Sequence, residues 1–195
     1  MVTVTINGTK RTEISKSEVK SARNAGLIPC VIYGGSGENV HFTTTPNDLR
    51  DLVYTPEFKT ATISVDGKTY RCILKQIQFN PVKDTIQHID FLELVPGHKI
   101  KVQVPLSFEG SSPGVRSGGK FVQNIRLISI KTTPESLVDK LSVDISKLKL
   151  GQSLRVRDIS AVPGVEITNP PALPIATIII PRALKGVVVE EEETA

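Results

Sequence analysis

No run of apolar residues in this chain reaches the ~18 needed to cross a bilayer. The opening residues, Met1 to Ile6, alternate like a strand and lack the basic-then-apolar layout of a secretory signal. A soluble, cytoplasmic protein without a membrane partner is therefore expected. Cysteine is scarce: only Cys30 and Cys72 occur, with no second Cys or His near either at zinc-ligand spacing. Both fall in apolar, strand-like runs, which predicts buried free thiols and no metal site. Gly-x-Ser-x-Gly and comparable nucleophile contexts are missing, so no catalytic triad can be assembled. No repeat of fixed period is present. These absences point away from hydrolases, metalloenzymes and membrane proteins, and no catalytic residue, cofactor or small-molecule substrate is expected.

What is present is a chain of 195 residues, long enough for one large domain or two small ones. Thirteen prolines, fourteen glycines and abundant Val, Ile and Thr favour strands and turns over long helices. Net charge is +4 and unevenly spread. Residues 10–23 hold Lys10, Arg11, Lys16, Lys20 and Arg23 against only Glu13 and Glu18, whereas the end of the chain carries Glu190 to Glu193. A mild basic excess bounds the partner class only loosely. The local cluster says more.

The strand Val2–Ile6 is followed by Asn7-Gly8, which reads as a hairpin turn. Ser15-Lys16-Ser17-Glu18 reads as a capping box opening a short helix, with Val19 and Ala22 as its apolar stripe and Gly26 closing it. Pro29 to Tyr33 reads as an apolar strand ending at Gly34-Gly35, and a second helix starts at Pro46 with Thr45 as cap. Ala61–Leu74 forms a hairpin about Asp66-Gly67, and Thr85–Leu94 gives a further strand. Pro96-Gly97-His98 marks a boundary. Strands follow at Lys99–Leu106, Phe121–Lys131, Leu141–Ile145, Leu154–Val156, Val165–Ile167 and Ala176–Ile180, a pattern of β-sandwich or distorted barrel. The expected organisation is mainly β: residues 1–95, residues 96–184, and an acidic, flexible tail at 185–195.

Two segments carry the functional signal. On the first predicted helix, Lys16, Lys20 and Arg23 fall at i, i+4 and i+7 and share a face, opposite the Val19/Ala22 stripe. Cations about 5–6 Å apart suit successive phosphates of a nucleic-acid strand; a plain solvated helix face has the same spacing. In Gln87-His88-Ile89-Asp90-Phe91, His88 and Asp90 point to one face of a strand and Ile89 and Phe91 to the other. The apolar pair fixes the backbone. His88 donates or accepts, and Asp90 accepts from a base amine or a ribose 2′-OH, the group that separates RNA from DNA. A surface His–Asp pair without function has the same pattern. Tyr33, just before a Gly-Gly turn, suits either a sugar or phosphate contact or a half-buried position at a barrel end.

Gly114-Val-Arg-Ser-Gly-Gly119-Lys120-Phe121 imitates a phosphate-binding loop. Phe121 stands where magnesium binding needs Ser or Thr, and a strand follows where a helix is required, so nucleotide binding is not expected. A glycine-rich turn presenting Arg116 and Lys120 to RNA or protein fits better.

Several of these pieces occur in an order that resembles a known family. They are Arg23 with Gly26-x-Ile28-Pro29-x-Val31-Ile32-Tyr33-Gly34, then Lys75-Gln-Ile-Gln78 before Pro81, then Gln87–Phe91. Pro113-Gly114-Val115-Arg116-x-Gly118-Gly119 and Leu150-Gly151-Gln-Ser-Leu154 continue the match. The chain is similar to the bacterial large-subunit ribosomal proteins that bind 5S rRNA, in their long, two-domain, general stress protein CTC form. The resemblance implies a first domain built as a six-stranded β-barrel with flanking helices. It implies binding to the minor groove of an irregular internal loop of 5S rRNA, in the central protuberance beside other rRNA and ribosomal proteins. The RNA-contacting set it implies is Arg11, Arg23, Tyr33, His88 and Asp90, with Lys20 at a position often basic, and Lys75 and Gln78 as further candidates. Against the family pattern, positive charge is thin at residues 15–21, where Glu18 and Val19 stand. That implies weaker binding or contacts from the basic second domain. A different class of reading is a two-domain β scaffold that binds protein, compatible with a stress-related role, and meets RNA only incidentally.

Overall fold

The computed structural model describes residues 2–35, 37–160 and 162–181, so the expected acidic tail lies outside the described residues. The chain forms two compact units. One comprises the chain up to Ile100 together with Thr133–Asp139, and the other Lys101–Thr132 with residues from Lys140 onward.

In the first unit, strands β1 (Thr3–Lys10), β2 (Ile28–Tyr33), β3 (Val40–Thr44), β4 (Thr60–Val65), β5 (Lys68–Phe79) and β6 (Ile86–Glu93) close into a barrel. Their order around it is β1-β3-β2-β6-β5-β4, with β1–β4 and β2–β6 parallel. Inward-facing Ile6, Ile32, Phe42, Ile63, Ile89 and Phe91 are fully or almost fully buried. The Phe42 and Phe91 rings lie 6.0 Å apart inside it. Emptying either ring position costs about 3–5 kcal/mol. Closure also removes the free strand edges that would otherwise pair with other chains.

Asn7-Gly8 is not a turn. β1 runs straight through it, pairing Asn7 with Ser64 and Gly8 with Val65. A Cβ at Gly8 would sit 2.4 Å from Phe42 Cδ2, so this glycine makes room for a core ring, not for a reversal of the chain. The true hairpin turn is Asp66-Gly67, where φ of +50° and +75° gives the twist that two-residue hairpins need. β5 then continues five residues past Leu74, further than expected.

Helix α1 (Lys16–Asn24) begins at Ser15, whose hydroxyl accepts from the Glu18 N–H. It ends with Gly26 at φ +78°, where Leu27 N donates to Ala22 O and Gly26 N to Arg23 O. These paired bonds satisfy carbonyls that would otherwise be stranded at the helix end. Helix α2 (Pro46–Val53), capped by Thr45, buries Leu49 and Leu52. By contrast α1 buries no residue fully, so it lies on the surface, held by its ends.

The second unit holds a sheet of order β10-β7-β9-β12 and another of order β11-β13-β8. Its strands are β7 (Ile100–Glu109), β8 (Lys120–Gln123), β9 (Leu127–Thr132), β10 (Leu141–Asp144), β11 (Ser153–Arg155), β12 (Val165–Ile167) and β13 (Pro174–Ile179). The single strand expected over Phe121–Lys131 is broken at Asn124–Arg126, and its two halves join different sheets. An edge-to-face contact of Phe108 with Phe121, 5.1 Å between centroids, links the sheets. One helical turn, α3 (Pro113–Arg116), precedes β8.

Candidate functional site

The two informative segments meet through one side chain. Arg23, in the last turn of α1, donates from Nε and Nη2 to the Gln87 carbonyl at 3.2 and 3.0 Å. That carbonyl is available because of a bulge. Gln78 pairs with His88 but Phe79 pairs with Ile86, which leaves Gln87 outside the regular register. The fork therefore fastens the helix to β6 one residue before His88. The rest of the guanidinium edge stays on the exposed surface.

On β6 the expected alternation holds. Ile89 and Phe91 are fully buried, while the His88 and Asp90 side chains are 26% and 24% exposed. His88 Nδ1 donates to Asp90 Oδ1 at 2.7 Å. This fixes the imidazole and turns Nε2 away as the group free to meet a partner. Register places Gln78 opposite His88 and Gln76 opposite Asp90. On the other side, Val31 of β2 lies opposite Asp90 and also opposite His41 of β3. Tyr33 is on the same outward face as Val31. Its phenol is raised above its ordinary value, first by burial and then by the Asp90 carboxylate, so it remains a protonated donor at neutral pH.

Lys16 and Lys20 are exposed on α1. With Ile14, Val19 and Arg23 they line an open depression of about 380 Å³. Val19 thus lies among the cations and not opposite them, as the helical spacing of residues 16, 19, 20 and 23 also dictates. Arg11 differs from the others. Its side chain is only 7% exposed, and it pairs with Glu18 at 3.3 Å while also donating to the Glu13 carbonyl. The predicted reciprocal capping role of Glu18 is replaced by this pairing, which ties the chain after β1 to α1. Lys75 is the bulged residue between Leu74 and Gln76 on β5, out of register with β6.

Sequence reasoning overlooked Gln76 and His41. Period-two alternation from Gln78 would have found Gln76, but His41 needed the β2–β3 pairing, which no local pattern announces.

Cys30 and Cys72 are free and buried, and burial pushes both thiols up to about 12, so neither is a nucleophile at neutral pH. Arg116 and Lys120 belong to the second unit. There, a Cβ at Gly114 would lie 2.7 Å from the Lys149 carbonyl carbon, and one at Gly119 2.6 Å from the Gly114 oxygen. These glycines serve close packing, and β8 follows them; the loop does not cradle a nucleotide.

Residues 6–91 match the Ribosomal L25p family, and residues 99–182 match the C-terminal domain of ribosomal protein TL5. A protein of Cytophaga hutchinsonii named large ribosomal subunit protein bL25 is 37% identical over 185 residues, covering 95% of each chain. Proteins of the same name from Bacteroides fragilis and Porphyromonas gingivalis are 38% and 34% identical, covering at least 95% of this chain. These matches place the chain among ribosomal proteins, a class defined by assembly with RNA and not by catalysis. More particularly, the chain belongs to the Ribosomal L25p family, in the long form that carries a TL5-type second domain.

Proposed function

We propose that this protein is a non-catalytic component of the large ribosomal subunit whose barrel, residues 1–95, binds 5S rRNA. The partner groove is the shallow minor groove of an irregular internal loop in the central protuberance, with neighbouring rRNA and ribosomal proteins around it. Lys16, Lys20 and Arg23 anchor phosphates, while Tyr33, Gln78, His88 and Asp90 meet sugar and base edges. Gln76 joins that set, and Lys75 contributes charge at its edge. Arg11 acts by holding α1 in place through Glu18, not as a phosphate anchor. Residues 96–184 form a second β domain on this reading, the protein works in the cytoplasm on the ribosome, and neither cofactor nor small-molecule substrate takes part.

The observation that carries this reading is the Arg23 fork on the Gln87 carbonyl, which sets a cationic helix beside an acidic, hydrogen-bonding strand. A purely electrostatic surface has no use for Asp90. An acceptor aimed at a base amine or a 2′-OH does. Titrating 5S rRNA and a scrambled RNA of equal length with the full chain tests the proposal. Preferential, salt-sensitive binding to 5S rRNA is expected, and equal affinity for both RNAs would refute it.

A further inference from the structure

The second unit carries two long stretches without a carboxylate. Between Glu109 and Glu135 there are Arg116, Lys120, Arg126 and Lys131, and between Asp144 and Asp158 there are Lys147, Lys149, Arg155 and Arg157. β13, between them in the sheet, holds no charged residue at all.

Glycine packing brings the two stretches together. Gly114 and Gly119 lie against the backbone and side chains of Lys149, Leu150 and Ile178, closer than any Cβ would allow. Gly114 N donates to Leu148 O, and Gly151 N donates to Ile178 O. The turn bearing Arg116, the start of β8 at Lys120 and the turn bearing Lys149 therefore share one end of the β11-β13-β8 sheet. All three residues are exposed, and none is ion-paired among the described residues. Arg116 Nε is steadied by the Ser111 hydroxyl at 3.0 Å. Lys147 is excluded from the group, because its charge acts on Asp144.

The sheet surface beside this cluster carries hydrogen-bonding groups next to the exposed Ile179. Ser153 and Thr177 hydroxyls lie 3.0 Å apart, and Asn124 Nδ2 donates to Thr177 Oγ1 at 3.2 Å. Cations carried on stretches without a carboxylate, next to hydroxyls and an amide, match a sugar-phosphate backbone, whose contacts come from these side-chain types. We propose that Arg116, Lys120 and Lys149 form a second RNA-backbone contact surface, independent of the barrel face and without sequence preference. The proposal takes only its choice of RNA from the ribosomal reading; the surface itself needs nothing from 5S rRNA.

The test uses the full chain and a mixed-sequence RNA duplex of 20 base pairs or so (about two helical turns). Binding is measured across a range of salt for the intact protein, for Arg116→Gln/Lys120→Gln/Lys149→Gln, and for Lys131→Gln/Lys140→Gln/Arg157→Gln, which changes net charge equally. Removing one phosphate neutralisation flattens the slope of log K against log salt by ~0.9. The first triple variant is expected to flatten it by roughly 2 to 3, with much less change in the second. All substituted positions are exposed, and an unchanged thermal midpoint shows that folding is not the cause. Equal flattening in both variants would reduce the effect to net charge and overturn the proposal. An unchanged slope would also overturn it. Because the duplex lacks the 5S loop, these outcomes are separate from success or failure of 5S recognition by the barrel.

Discussion

Asp90 is a carboxylate on the strand to which a helix with three cations is fastened, and its position follows from its neighbours in sequence. Ile89 and Phe91 are drawn fully into the barrel, so the residues between and before them must face out. This much was legible from period two alone, and the shared helix face of Lys16, Lys20 and Arg23 from the i, i+4, i+7 spacing. Arg11 was not. Its partner Glu18 is seven residues away on another element, and Glu18 also fits the capping pattern, so the sequence supports both roles until the geometry chooses. Arg23 has a use that charge alone does not describe. Arg23→Lys keeps the charge but loses the two-pronged grip on Gln87 O. Affinity for 5S rRNA is expected to fall several-fold while the salt slope stays the same, as salt titrations of both proteins would reveal. Unchanged affinity would mean that Arg23 acts only through its charge, as a phosphate anchor.

The thiols give a second residue-scale expectation. Both are raised from 9.0 to about 12 by burial, so folding favours their protonated form. An unfolded chain ionises them from about pH 9 upward, and stability from this source is complete below that and lost as pH climbs toward 12. The urea midpoint is expected to be lower at pH 10.5 than at pH 8, and thiol reagents at pH 8 should label neither cysteine until the protein unfolds.

At the scale of elements, local signals succeeded where the chemistry was local. Ser15, Thr45, Gly26 and Asp66-Gly67 each mark their helix end or turn, because a cap or a positive φ depends on a few adjacent residues. Asn7-Gly8 carries the same kind of signal and means something else. The parallel pairing with β4 and the bulk of Phe42 override its turn preference, and both are set by residues far along the chain. Gly8→Ala should therefore destabilise by about 1–3 kcal/mol through overpacking against a buried ring, measured by denaturant unfolding. A turn position with positive φ would instead be rescued by Asn; at Gly8, Asn is expected to be worse than Ala. The two bulges, at Lys75 and Gln87, were likewise invisible in the pattern. They bracket the stretch that holds Gln76, Gln78, His88 and Asp90, and the second of them frees the carbonyl that Arg23 needs.

For the whole molecule, the mainly β class and the six-stranded barrel were legible, the barrel through family resemblance more than through periodicity. The break in Phe121–Lys131 was not, since Asn124–Arg126 keeps an extended, strand-like composition while changing sheets. On the proposed reading, affinity and discrimination fall to different groups: helix cations for phosphates, and the outward face of β6 for identity. The most direct measurement compares the intact chain with Asp90→Ala, taking Kd for 5S rRNA and for a scrambled RNA at two salt concentrations. The expected result is a ratio of the two affinities that collapses toward one, with the scrambled RNA bound as before and the salt slope unchanged. Equal loss of affinity for both RNAs would contradict the claim that Asp90 reads the RNA.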